Sequence, residues 1–106
     1  MATFGEKIRE LRKAKRLTLD QLAEQTGSSK SYIWELENKH PPRPSAEKMT
    51  KIADVLDTTT DYLMDTEGHQ DRKTSEDDAF FRKYQTMDET QKQTIRQMLD
   101  IIKKNG

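Results

Sequence analysis

The sequence has 106 residues, of which 36% are charged and 31% hydrophobic, and its 19 basic and 19 acidic side chains cancel to zero net charge. This length allows one small core and an accessory element, which excludes two full domains. The absence of cysteine excludes a disulfide framework and a thiol nucleophile and fits a reducing cytoplasm. With no apolar run near the roughly 18 residues of a membrane span and no signal peptide, we expect a cytoplasmic protein.

The distribution of charge points to a function that the net charge hides. Zero net charge is unfavourable for a nucleic-acid-binding protein, because neutralisation of phosphates drives affinity. However, six cations lie within ten residues, opposed only by Glu10: Lys7, Arg9, Arg12, Lys13, Lys15 and Arg16. Such a cluster predicts a local positive field on a neutral molecule.

A first helix is predicted from near Thr3 to Lys15 and Arg16. Phe4, Ile8 and Leu11 recur at helical spacing and form one apolar stripe. Positive charge at the end of this segment suits a helix C-terminus.

The next twenty or so residues contain the signals for two short helices joined by a tight turn. Thr18 can cap a helix of about residues 19–25, and Gly27 can take the left-handed conformation that ends it. Ser28 and Ser29 then offer a hydroxyl cap for a helix from about Lys30 to Glu37. This arrangement predicts a helix-turn-helix motif.

The second helix of this motif has one apolar and one polar face. Ile33 and Leu36 can bury against the preceding helix, while four side chains project from the opposite side: Lys30, Ser31, Trp34 and Glu35. Lysine can donate to guanine, serine can pair with several base edges, and glutamate can accept from cytosine. The polar face is therefore a candidate surface for reading DNA bases. The alternative is a solvated helix with a partly exposed tryptophan.

The segment LAEQTGSSKSYIWELEN, Leu22 to Asn38, resembles the Cro/CI-type (XRE) helix-turn-helix family of bacterial and phage regulators position by position. The resemblance covers residues 1 to about 65. It implies an all-α fold, with a five-helix lambda-repressor-like DNA-binding domain over residues 1–65 and its third helix as the recognition helix. Base-reading roles are implied for Lys30, Ser31 and Glu35, with Trp34 beside them, and we count all four as candidate base-reading residues. Arg12 and Glu37 are implied to form a buried structural ion pair.

Contacts to the DNA backbone are expected from six residues: Thr18, Gln21, Ser29, Tyr32, Lys39 and Arg43. Two positions depart from the family. Leu19 replaces a glutamine that holds a phosphate in many relatives, and Lys39 replaces a glycine, so its backbone must be strained or take another path. The proline-rich loop that follows is stiff and also carries His40, a third side chain able to face phosphate.

Two more helices complete the predicted domain. Ser45 caps a helix from about Ala46 to Leu56, and Thr59 caps a short helix that ends near Met64. Their apolar residues are expected to serve packing, because so small a domain needs all of them for its core.

Residues 66–74 are polar and without apolar periodicity, which predicts a linker. Ser75 is expected to cap the first helix of a tail over residues 75–106. Asp88 and Gln91 have capping-box spacing and open a longer helix that runs to about Lys104.

The two-helix tail is too small to be stable alone, so its apolar face requires a partner. We predict a homodimer formed through one set of residues: Phe80, Phe81, Tyr84, Ile95, Met98, Leu99 and Ile102. Packing onto the DNA-binding domain and binding of a different protein remain alternatives. The layout is similar to that of SinR-like regulators and compact phage repressors, in which the C-terminal helices oligomerise or meet an antagonist.

The sequence therefore predicts a sequence-specific transcriptional regulator that binds a pseudo-palindromic double-stranded DNA operator as a homodimer. Repression, and a bacterial or phage origin with action at the nucleoid, are implied by the resemblance alone. The alternative is an antitoxin-like or adaptor protein whose tail binds a toxin or antagonist. No catalytic motif is present, so we expect neither an enzyme nor a cofactor. His40 and His69 are too far apart in sequence to suggest a metal site.

Overall fold

The computed structural model describes residues 3–39, 41–65 and 68–105. Every regular element in these ranges is an α-helix: α1 (Phe4–Ala14), α2 (Leu19–Thr26), α3 (Lys30–Asn38), α4 (Ala46–Val55), α5 (Thr60–Met64), α6 (Arg72–Thr86) and α7 (Glu89–Asn105). The predicted all-α architecture is confirmed. None of these described helices is long and apolar enough to cross a membrane.

Hydroxyl side chains cap the N-termini of the first five helices. Each accepts a hydrogen bond from the backbone N–H three residues further along the chain: Thr3, Thr18, Ser29, Ser45 and Thr59. At α2 the side chain of Gln21 also accepts from the Thr18 N–H at 2.8 Å, which completes a capping box. A cap of this kind stabilises a helix by about 1 kcal/mol, so local sequence fixes where α3 starts and which residues its exposed face carries.

Helices α1 to α5 pack around a shared core, and we call these five helices the reader domain after the role that the sequence predicts for them. Its fully buried large apolar side chains are Ile8, Leu22, Ile33, Leu36, Ile52, Leu56 and Leu63. Helix α3 packs against both α1 and α2, and α4 packs against α2. Burial of each such side chain contributes about 1.5–3 kcal/mol, so α3 is anchored by its apolar face and its opposite face stays exposed.

The turn between α2 and α3 is set by Gly27, whose φ of 66° lies in the left-handed region. The Ser28 N–H then donates to the Ala23 carbonyl at 2.8 Å. Lys48 of α4 donates to the Thr26 and Gly27 carbonyls at 2.9 and 3.0 Å, which satisfies the end of α2 from another helix. No local sequence pattern indicated this contact.

Helix α6 begins earlier than the sequence predicts. Asp71 caps it by accepting from the Thr74 N–H at 3.0 Å, and the helix starts at Arg72. Ser75 is therefore not a cap. It lies inside the helix, 1% exposed, with its hydroxyl donating to the Asp71 carbonyl at 2.8 Å. The last residues of the predicted linker are thus helical, although the division of the chain into domains stays a prediction.

The two tail helices differ in how they contact the rest of the chain. Helix α6 buries Ser75 and Ala79, and Phe80 lines a groove of about 510 Å³ together with Leu11 and Leu56 of the reader domain. Helix α7, in contrast, has no buried residue along its described length. Part of the tail therefore packs back onto the reader domain, and the apolar face of α7 is left open.

Candidate nucleic-acid interface

The two faces of α3 are separated as the sequence predicts. Ile33, Leu36 and Glu37 are buried. The predicted base-reading residues are exposed and together line a shallow depression of about 280 Å³: Lys30, Ser31, Trp34 and Glu35. An ammonium, a hydroxyl, an indole and a carboxylate thus lie side by side on one surface, which supplies both donors and acceptors for base edges.

Neighbouring side chains influence two of these groups only weakly. The Lys30 ammonium lies 3.8 Å from the Asp20 carboxylate, with the two side chains 60% and 72% exposed. Exposed pairs of this kind contribute little and are screened by salt, so Lys30 can exchange Asp20 for another partner. The Lys39 ammonium lies 5.9 Å from the centre of the Trp34 ring, a cation–π contact that leaves the indole exposed.

A buried ion pair fixes α3 on α1. Arg12 Nε lies 2.7 Å from Glu37 Oε2, and its Nη2 donates to Oε1 at 2.9 Å. The Glu37 side chain is 1% exposed, and Arg9 approaches the same carboxylate at 3.4 Å. The hydrogen bond with Glu37 raises the pKa of Arg12 above its usual value. Arg12 and Glu37 therefore hold α1 and α3 together, and their charges pair with each other inside the protein.

Three of the predicted backbone contacts are also capping residues. The hydroxyl oxygens of Thr18 and Ser29 accept the capping hydrogen bonds at the starts of α2 and α3. The amide oxygen of Gln21 accepts the second hydrogen bond of the capping box. These bonds occupy acceptors and leave the O–H and N–H₂ donors to other partners. All three side chains are exposed, so capping is compatible with a phosphate contact.

The other predicted backbone contacts lie in the first turn of α3 and beyond its C-terminal end. Tyr32 is half-buried against the core, and this burial raises the pKa of its hydroxyl. Lys39 has φ −123° and ψ 174°, an extended conformation open to any residue. Of the two expectations for Lys39, a strained backbone or another path, the chain takes another path. Arg43 is exposed, whereas His40 lies outside the described residues.

Four of the six clustered cations have partners within the protein. Lys7 is 6% exposed, and its ammonium donates to the Tyr62 carbonyl at 2.7 Å and to the Asp65 carbonyl. Arg9 and Arg12 bind Glu37, and Lys15 binds Asp57. The positive field expected from the cluster stays a prediction, with Lys7 buried and with Arg9 and Arg12 sharing the single carboxylate of Glu37. Their partners are distant in sequence, so charge clustering could not reveal them.

The residues predicted to form a dimer interface occupy two different environments. Phe80 lines the groove against the reader domain, and Tyr84 lies beneath Lys92 and Arg96 of α7, whose cationic groups are 5.6 and 6.0 Å from its ring. The more open members form an exposed group: Phe81, Met98, Leu99 and Ile102, with Ile101 beside them. Ile95 is half-buried on the same helix.

Residues 8–63 match the sequence model of a family described as "Helix-turn-helix", so the chain belongs to the helix-turn-helix family. Among curated proteins it is similar to RghRB of Bacillus subtilis (strain 168), described as an uncharacterized HTH-type transcriptional regulator. The two are 39% identical over 69 residues, which cover 65% of this chain and 50% of RghRB. The chain thus spans about half the length of the curated relatives it matches.

Two solved structures share the fold. The crystal structure of SinR, a master regulator of biofilm formation, in complex with DNA superposes with a TM-score of 0.56 and 35% identity, covering 59% of this chain and 100% of that chain. A complex of SinR with the SinI protein superposes with a TM-score of 0.58 and 30% identity, covering 97% of each chain. The first likeness corresponds in length to the reader domain, and the second extends through the tail.

Proposed function

We propose that this protein is a sequence-specific DNA-binding transcriptional regulator, acting as a repressor in a bacterial cytoplasm, that inserts α3 into the major groove. The observation that carries the proposal is the polar face of α3, which is exposed along Lys30, Ser31, Trp34 and Glu35 while its reverse side is locked into the core. A helix held in this way can enter a groove without a change in fold. The similarity to SinR, whose structure is known in complex with DNA, supports the same role.

The chemistry of the face assigns roles to its members. Lys30, at the start of the helix, is suited to guanine O6 and N7, and Glu35 to the amino group of cytosine. Ser31 and Trp34 lie beside them and complete the base-reading surface. Phosphates on either side would be held by Thr18, Gln21, Ser29, Tyr32, Lys39 and Arg43, which position the helix without reading sequence.

A homodimer formed through the tail would supply two such helices. Met98, Leu99 and Ile102 on α7 are 55%, 50% and 66% exposed, a large apolar surface for one short helix. Exposed apolar groups of this kind mark sites of association. Two-fold pairing would present one α3 to each half-site of a pseudo-palindromic operator, and each copy would add phosphate contacts.

A second function is favoured by the same α7 surface. A complex of SinR with the SinI protein is known, and a chain of that complex matches 97% of this chain, which includes the tail. The exposed face of α7 could accordingly bind a helix of an antagonist or a toxin. Such a partner would compete with self-association, so the two functions differ in what occupies one surface.

Selection of bound duplexes from a random pool by the purified full chain tests the proposal. We expect enrichment of a pseudo-palindromic motif and a sedimentation mass of two chains. An unenriched pool would contradict sequence-specific binding. A specific motif without two-fold symmetry, bound by a single chain, would keep the DNA-binding role and contradict the homodimer.

A further inference from the structure

Two lysines from separate parts of the chain meet at Asp57. Its carboxylate binds the ammonium groups of Lys15, directly after α1, and of Lys83 on α6. Lys83 also donates to the Asp54 carbonyl at 3.1 Å, at the end of α4. The docking cluster, as we call Lys15, Asp57 and Lys83, therefore connects the tail to two helices of the reader domain.

The backbone at Asp57 is suited to this position. Its φ of 55° lies in the left-handed region, which aspartate and asparagine tolerate better than most residues. This conformation lies in the turn after α4, between Leu56 in the core and the buried Thr58. The carboxylate is thus carried by a short turn anchored on both sides.

The apolar contact between α6 and the reader domain is small. The buried residues of α6 are Ser75 and Ala79, whose side chains are short, while Phe80 remains 47% exposed. Small side chains allow close approach but bury little apolar area. Lys83 adds directional contacts to this small apolar surface, since its ammonium binds both the Asp57 carboxylate and the Asp54 carbonyl, with the Lys83 and Asp57 side chains 47% and 44% exposed.

A second contact joins α6 to α7. Lys92 and Arg96 lie over the Tyr84 ring, one residue along α6 from Lys83. The reader domain, α6 and α7 are thus linked in series, and the exposed face of α7 comes at the end of the series. In a dimer, the first link would determine how the two α3 helices are placed relative to each other.

We propose that the contact of Asp57 with Lys83 determines which half-site spacing the protein accepts, by fixing the tail on the reader domain. This inference rests on the proposed homodimer. A dimer with rigid arms binds half-sites only at the separation that its geometry matches, about one helical turn of DNA or a multiple of it. A dimer with free arms tolerates many separations, because each reader domain can find its half-site independently.

The test uses two duplexes that carry the selected operator. One has the natural spacing, and the other has about five additional base pairs, roughly half a helical turn, between the half-sites. The readout is the ratio of the two dissociation constants for one protein, so losses of general phosphate affinity cancel. We expect the wild-type protein to prefer the natural spacing by at least about tenfold, given that half a turn places one half-site on the opposite side of the duplex.

Two substitutions break the proposed link by different routes. Asp57→Asn removes the charge and keeps a residue that tolerates the left-handed backbone, and Lys83→Ala removes the partner on α6. We expect both to reduce the preference to below about threefold while the sedimentation mass stays that of a dimer. Lys15→Ala is the matched control, because it removes a contact of Asp57 within the reader domain and keeps Lys83.

The outcomes separate this inference from the proposed function. If Asp57→Asn and Lys83→Ala keep the wild-type preference for the natural spacing, the role of the docking cluster is refuted. The same holds if the wild-type protein is a dimer but shows no such preference. Neither result affects the proposed DNA binding. Loss of the preference in Lys15→Ala to the same extent also refutes the role of the docking cluster. A monomeric wild type refutes the proposed homodimer, and the inference falls with it.

Discussion

Gly5 of α1 lies directly against the backbone of α3: a Cβ atom on residue 5 would be 2.5 Å from the Leu36 carbonyl oxygen and 2.8 Å from that of Glu37. These atoms belong to the backbone of α3 and cannot rotate away. The position of α3 is therefore coupled to the absence of a side chain at Gly5 on α1.

Gly5→Ala should destabilise the reader domain by about 1–3 kcal/mol, because α1 and α3 must separate to admit the methyl group. Urea unfolding of the full chain measures the change. Gly27→Ala is an informative comparison, since an added Cβ there meets no atom within 4 Å and only the left-handed backbone is strained. Equal stability of wild type and Gly5→Ala would mean that the two helices separate without cost.

Glu37→Ala should be more severe, because it leaves Arg12 and Arg9 beside a site that is closed to solvent. Removing one partner of a buried pair typically costs about 3–5 kcal/mol. Glu47→Ala is the control: its partner Lys51 lies 3.6 Å away and both side chains are largely exposed, so a change within about 0.5 kcal/mol is expected. Similar melting temperatures for the two variants would contradict the structural role of Glu37.

The docking cluster predicts a pH dependence. Burial raises the pKa of Asp57, but hydrogen bonds from Lys15 and Lys83 outweigh this effect, so its pKa lies below the usual value. A carboxyl group with a lowered folded pKa stabilises the fold above its unfolded pKa, and this contribution disappears as pH falls through the folded value. Asp57→Asn should therefore melt below wild type at pH 7, and the difference should shrink below about pH 4.

Asp78→Asn, which changes an exposed carboxylate on α6, is the control for this measurement and should melt like the wild type at each pH. A difference between wild type and Asp57→Asn that is constant from neutral to acidic pH would assign the effect to the turn backbone. It would then not reflect the charge.

The exposed face of α7 predicts the effect of adding charge there. Leu99 is 50% exposed in the single chain, so Leu99→Glu should leave the helices and the melting of the reader domain intact. In a dimer the carboxylate would be buried without a partner, which is costly, and we expect self-association to weaken by at least about tenfold. Sedimentation equilibrium measures the mass, with Gln93→Glu on the opposite side of α7 as control. An undiminished dimer in Leu99→Glu would place the interface elsewhere.

Features set by neighbouring residues were predictable from the sequence. The caps at Thr18 and Ser29, the turn at Gly27 and the two faces of α3 depend on residues within one or two helical turns. The start of α6 was mispredicted because both Asp71 and Ser75 can cap a helix, and the acidic residues after Ser75 suit a first turn as well as a second.

Apart from the Arg12–Glu37 pair, which the family resemblance implied, features set by distant residues were not predictable. Lys7 resembles a surface cation in sequence, yet it binds carbonyls near residue 65. Lys48 and Asp57 likewise take their roles from helices far along the chain. Only the fold brings these groups together, so composition and spacing could not reveal which cations are available to DNA.

Competitive binding to the selected duplex and to a scrambled duplex tests most directly whether α3 reads bases with its polar face. Lys30→Ala and Glu35→Ala should each lose about 1–3 kcal/mol on the selected duplex and little on the scrambled one. Arg43→Ala, an exposed cation beyond the helix, should weaken both to a similar extent. Equal losses on both duplexes for Lys30→Ala and Glu35→Ala would contradict base reading by α3.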